Sequence, residues 1–128
     1  MKNTFRFTKT VFMYELFALV TGNEYRVVSQ APYLDKKGTC GCQGTTLTLM
    51  ILHDSMDYGV DKNTGAKRDN NIFETFDVTI LNGQTHLDLQ KGDLIALKDY
   101  DPDHSYVMNF DLILRYKGYT KLEDKKKA

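Results

Sequence analysis

Residues 45–54, TTLTLMILHD, place Leu47, Leu49 and Ile51 on one side of an extended chain and Thr46, Thr48 and Met50 on the other. Side chains along a strand alternate between faces, so this period of two marks a strand with one buried and one solvated side. The pattern recurs in 73–81, FETFDVTIL, with Phe76, Val78 and Ile80 inward and Thr75, Asp77 and Thr79 outward. Residues 93–99, DLIALKD, make a third run and 105–116, SYVMNFDLILRY, a fourth. Near the front, 14–31, YELFALVTGNEYRVVSQA, form one long strand candidate. Gly22-Asn23 inside it fits a hairpin turn between two short strands or a bend within one, and the bend is preferred. With few helix signals, the chain is assigned to the all-β class.

The connections are uneven. Residues 35–44, DKKGTCGCQG, form a glycine-rich loop, and 54–72 a long polar one of the length that is usually functional or disordered. Residues 82–92 leave room for one or two helical turns, and 100–104, YDPDH, make a short acidic turn. No internal repeat is present. The expected organisation is an N-terminal arm at 1–13, one domain at 14–118 and a charged tail at 119–128.

Five strands of this kind close into a small barrel, which removes exposed sheet edges. A first strand that pairs in both halves of the barrel needs a bend, which Gly22 can supply. That is the layout of an OB-fold, with a long loop between its second and third strands and a short connector before the fourth. The segments FALVTG (17–22), FETFDVTILNG (73–83) and KGDLIAL (91–97) resemble the OB-fold single-stranded-DNA-binding proteins, particularly small plasmid- and phage-encoded ones. In that family a Lys-Gly-Asp/Ser turn opens the fourth strand, and Lys91-Gly92-Asp93 stands at that place. The chain departs from the family in three ways. The connector before Lys91 is short, tryptophan is absent, and the end carries Lys125, Lys126 and Lys127 where housekeeping members carry an acidic tip. The resemblance implies sequence-tolerant binding of single-stranded DNA in plasmid conjugation or in phage or plasmid replication.

Charge argues mildly the other way. Seventeen basic and seventeen acidic residues give a net charge of zero, whereas phosphate binders usually show a basic excess; a local patch still suffices. Cys40 and Cys42 stand too close in sequence for a relaxed disulfide and read as free thiols in a reducing cytoplasm. With His53, His86 or His104 they offer only one tight ligand pair, so no metal site is assigned. Asp57, Asp61, Asn63 and Gly65 resemble a calcium loop, but Ala66 and Ile72 stand where a glycine and a bidentate glutamate belong. Lys2, Arg6 and Lys9 before the apolar stretch 11–20 resemble a signal peptide, but Glu15 interrupts it and no small-residue cleavage site follows. No nucleophile or acid/base constellation stands out, so neither an enzyme nor a cofactor is expected.

Single-strand binders need exposed aromatic faces and a cationic track for the phosphates. The candidates are Tyr33 with Lys36 and Lys37, Tyr58 with Lys67 and Arg68, Phe73, Tyr106, and Arg26 and Arg115 reaching from the first and last strands. Phe76 and Phe110 are assigned to the core. RNA is a variant of the same reading. The rival is a protein–protein adaptor on the same barrel, because a fold hosts many functions. In the arm, Phe5, Phe7, Val11 and Met13 share one parity. Such an extra strand folds back on its own barrel or docks on a neighbour, where repetition builds a ring or filament.

Overall fold

The computed structural model describes residues 11–34, 43–108 and 111–122. Its elements are α1 (Tyr14–Thr21), β1 (Tyr25–Leu34), β2 (Gln43–Ile51), β3 (Thr75–Ile80), β4 (Leu94–Tyr100), β5 (Tyr106–Met108), β6 (Asp111–Ile113) and β7 (Arg115–Leu122). Five strands close a barrel in the order β1-β2-β3-β7-β4. Neighbours run antiparallel except β3 and β7, which are parallel. This is the OB-type barrel expected from the alternating runs. Its interior holds the residues that alternation placed inward: Leu47, Leu49, Ile51, Val78 and Ile80 are buried, and Phe76 packs against them. Burying each such aliphatic side chain stabilises the fold by roughly 1.5–3 kcal/mol.

The expected long strand over 14–31 is replaced by a helix and a strand. Tyr14, Phe17, Ala18 and Thr21 follow helical spacing. Gly22 ends the helix in the left-handed region at φ 70°, where glycine meets no Cβ penalty. Gly22 therefore stops a helix rather than bending a strand. The bend in β1 comes instead from a bulge between Val27 and Ser29. It lets β1 pair with β4 at Tyr25 and Arg26 while running the length of β2.

The two ends of the barrel are plugged differently. At one, Phe17 of α1 stacks on Tyr25 at 5.9 Å and meets Phe76 edge-on at 5.3 Å. Thr21 Oγ1 lies 2.7 Å from the buried Tyr25 hydroxyl, and burial pushes that phenol up to about 12. At the other end the connector 81–93 has no helix and inserts Leu87 and Leu89. Gln30, facing inward beside Leu47, holds it: its amide donates to the carbonyls of Leu87 and Leu89 at 3.1 and 2.8 Å and accepts from the Leu87 N–H at 2.9 Å. The Lys91-Gly92 turn follows, with Gly92 at φ 97°, and delivers the chain into β4.

The run 105–116 is not one strand either. β5 and β6 pair as a small hairpin, Tyr106 opposite Ile113, before Leu114 re-enters the core and β7 begins. β7 continues to Leu122, so residues 119–122, read as tail, belong to the barrel. Phe5, Phe7, Lys36, Lys37, Cys40, Cys42 and Phe110 lie outside the described residues. Among the described residues no helix is long and apolar enough to cross a membrane.

Candidate nucleic-acid interface

Strand register sets the outer face of the barrel. Ala31 pairs with Thr46, Thr46 with Thr79, and Thr79 with Arg115. One row below, Ser29 pairs with Thr48 and Thr48 with Asp77. The face is thus lined with hydroxyls, knitted by Thr46 Oγ1 to Thr79 Oγ1 at 3.1 Å and by Thr48 Oγ1 donating to Asp77 at 2.8 Å. Thr79, expected outward and solvated, is in fact only 3% exposed between Thr46 and Arg115.

At one end of this face the two ends of the barrel path meet. Tyr33 near the end of β1 and Arg115 at the start of β7 are 82 residues apart. The guanidinium lies 4.9 Å above the tyrosine ring, and Nη2 donates to the hydroxyl at 3.4 Å. Such a cation over a ring adds attraction of about 0.5–1 kcal/mol at exposed sites. Among the described residues Arg115 forms no ion pair with a carboxylate.

Arg115 is held from behind by the β4–β5 turn. Ser105 Oγ accepts from the Arg115 N–H at 2.8 Å and donates to the Asp101 carbonyl at 2.7 Å. Asp101 is 4% exposed. Its carboxylate accepts from the backbone N–H groups of Asp103 and His104, and Oδ2 lies 2.7 Å from His104 Nδ1. Burial acts to raise its pKa, but the contacts with His104 outweigh it and hold the carboxyl below the usual carboxylate range. The Asp-x-x-His spacing inside the short acidic turn at 100–104 was the available signal for this contact. Tyr106, at the start of the hairpin that follows, is 52% exposed.

The long β2–β3 loop forms a second cluster. Tyr58, Lys67 and Arg68 line one open groove of about 670 Å³ together with Asp54, Asp69 and Glu74. Tyr58 is half-buried there: its hydroxyl donates to Asp54 at 2.6 Å and accepts from the Asn71 amide at 2.9 Å. Burial works against Asp54 ionising, but hydrogen bonds from Tyr58, Asn71 and Met56 lower its pKa overall. The carboxylates temper the field of Lys67 and Arg68.

Phe73 sits where this loop enters β3. Its N–H donates to Ile51 O at 2.7 Å, its ring is 70% exposed, and its φ is 70°. A bulky residue in the left-handed region is an outlier that costs roughly 1–2 kcal/mol. Arg26 points elsewhere: its guanidinium donates to Gly92 O at 2.7 Å, on the β3–β4 connector. The structure therefore joins Tyr33 with Arg115, with Tyr106 on the adjoining hairpin, and Tyr58 with Lys67 and Arg68. It leaves Arg26 outside both groups. Among the described residues no cluster of three or more His, Cys, Asp or Glu side chains suits a metal ion.

No protein-family model matches the chain, and comparison with curated proteins and with solved structures gives no match either.

Proposed function

We propose that the outer face of β1, β2, β3 and β7 binds single-stranded nucleic acid, DNA in the first instance, and does no chemistry on it. The observation that carries this reading is the Tyr33–Arg115 pair, a ring and a cation on the outer face of an OB-type barrel. In such barrels the second and third strands, with the loops after the first and fourth, form the oligonucleotide face. Tyr33 and Arg115 border those two loops. Ser29, exposed on the same face, is a suitable phosphate donor, whereas Thr48 already donates to Asp77 and Thr79 is buried. From Thr79 to Phe73 the path along β3 is roughly 20 Å at about 3.3 Å per residue. Phe73, strained and exposed at its far end, supplies a second ring, because strain of this kind is kept where structure serves function.

Lys36 and Lys37, in the loop after Tyr33, and Lys67 and Arg68 supply further positive charge on this reading. The resemblance noted in the sequence supports a role in conjugation or in phage or plasmid replication, in the cytoplasm. The face of an OB-type barrel does not by itself read a 2′-hydroxyl, so RNA is a variant of the same activity.

One observation favours the adaptor reading instead. An apolar groove lies beside α1, off the strand face, and apolar surface suits protein partners better than phosphates. An electrophoretic shift with labelled oligo-dT at two salt concentrations separates the readings. A shift at low salt that weakens at high salt is expected. No shift at low salt would overturn nucleic-acid binding and leave the adaptor.

A further inference from the structure

Asp77 stands in the middle of the hydroxyl-lined face. It is exposed, and it ends the row Ser29–Thr48–Asp77. The rows on either side, Ala31–Thr46–Thr79–Arg115 and Arg26–Met50–Thr75, contain no carboxylate. Among the described residues no ion pair neutralises Asp77. Thr48 Oγ1 donates to its Oδ1 at 2.8 Å and so tethers the carboxylate to the sheet.

Arg115 pairs with Thr79, two residues along β3 from Asp77, and Phe73 lies four residues the other way. At about 3.3 Å per residue these steps are roughly 7 and 13 Å. A single strand that runs from the Tyr33–Arg115 pair to Phe73 therefore crosses Asp77. A phosphate laid there meets a like charge, and the repulsion grows as water leaves the interface. A base meets no such penalty. The carboxylate thus turns a base inward at this point and leaves the phosphates toward the rim.

We infer that Asp77 is a specificity-determining residue of this face and favours guanine at the nucleotide that crosses it. The inference rests on the binding activity proposed above and adds a base preference to it. A carboxylate only accepts hydrogen bonds; it has room for about four, so the one from Thr48 leaves both oxygens open to a base. Unpaired bases are read on their Watson–Crick edges. Guanine presents two adjacent donors there, N1–H and the N2 amino group, which match the two carboxylate oxygens. Adenine and cytosine present one amino donor beside an acceptor nitrogen. Thymine and uracil present one N–H between two carbonyl oxygens, which repel the carboxylate.

The test measures, by fluorescence anisotropy at low salt, binding of the full chain to oligo-dT in which one central thymine is replaced by guanine or by adenine. Adenine stacks on a ring as guanine does but lacks the adjacent donors, so it controls for stacking. The parent is expected to bind the guanine oligomer at least about fivefold tighter than the adenine one, the worth of one bidentate base contact. Asp77→Ala is expected to bind the two alike. It is expected to bind plain oligo-dT as tightly as the parent or more tightly, because a charge that opposes phosphate is gone. Asp77 is exposed, so its replacement leaves the barrel core untouched. Equal binding of the guanine and adenine oligomers by the parent overturns the inference, and that comparison needs no variant. So does a guanine preference that survives in Asp77→Ala. Failure of the parent to bind any of the three oligomers overturns the binding activity itself, so the two failures are told apart.

Discussion

Arg115 lies 4.9 Å above the ring of Tyr33, closing the outer face where the path from β1 meets the path into β7. On the proposed activity the pair acts as a unit, ring for base and guanidinium for phosphate. Tyr33→Ala is expected to weaken oligo-dT binding by about 1–3 kcal/mol, the value of one stacked base. Arg115→Ala is expected to flatten the dependence of log affinity on log salt by about 0.7, one single-strand phosphate contact. The double variant is expected to lose less than the sum, since contacting residues couple. Fluorescence anisotropy at several salt concentrations reads all three.

Asp101 ties the turn behind Arg115 to both His104 and Ser105. Its carboxyl ionises below the usual carboxylate range in the fold, so the stabilisation it brings is present above the unfolded-state value near about 3.9 and is lost as pH falls through the lower folded value. Asp101→Asn is therefore expected to cost about 1.5–3 kcal/mol at neutral pH, the worth of hydrogen bonds to a charged group. The gap between variant and parent is expected to narrow as pH drops below about 4. Urea unfolding at pH 7 and pH 3 checks the sign.

Gly44 opposes Tyr33 across β1 and β2, and a Cβ there would overlap the Ile80 carbonyl of β3. The obstacle is backbone, which cannot step aside as a side chain can. Gly44→Ala is expected to destabilise the barrel by about 1–3 kcal/mol, read as a lower midpoint in thermal unfolding. Gly118→Ala meets only the Lys98 side chain and Asp99 and is expected to cost much less.

Phe73 holds a bulky ring in the left-handed region with most of its surface in solvent. Phe73→Asn relieves that strain, because asparagine tolerates this backbone geometry. Stability is expected to hold or rise by about 1 kcal/mol while oligo-dT affinity falls by about 1–3 kcal/mol. Paired unfolding and binding curves separate the two effects.

The barrel was legible because β2 and β3 alternate cleanly, Leu47 to Ile51 inward and Phe76 to Ile80 likewise, and the chain rule of one face in and one face out needs no tertiary knowledge. α1 was missed because FALV is a short apolar run, and such runs suit a strand and a helix equally. The spacing of Tyr14, Phe17, Ala18 and Thr21, with Gly22 as the stop, was the available signal. Hairpin β5–β6 was hidden because alternation continues through both of its strands. The Tyr33–Arg115 contact had no local trace at all. Each residue stood out as a candidate alone, but only barrel closure brings residues so distant in sequence together. The Arg26 contact with Gly92 had no local trace either, since Gly92 lies on a connector whose path the sequence does not show.

The most direct measurement follows the backbone amides of the isotope-labelled protein as oligo-dT is added at low salt. The largest shifts are expected at Ser29, Ala31, Thr46, Thr48, Thr79 and Arg115, with α1 unmoved. Shifts confined to α1 and the groove around Tyr100 and Tyr106, or no shifts anywhere, contradict a strand face that binds single-stranded nucleic acid.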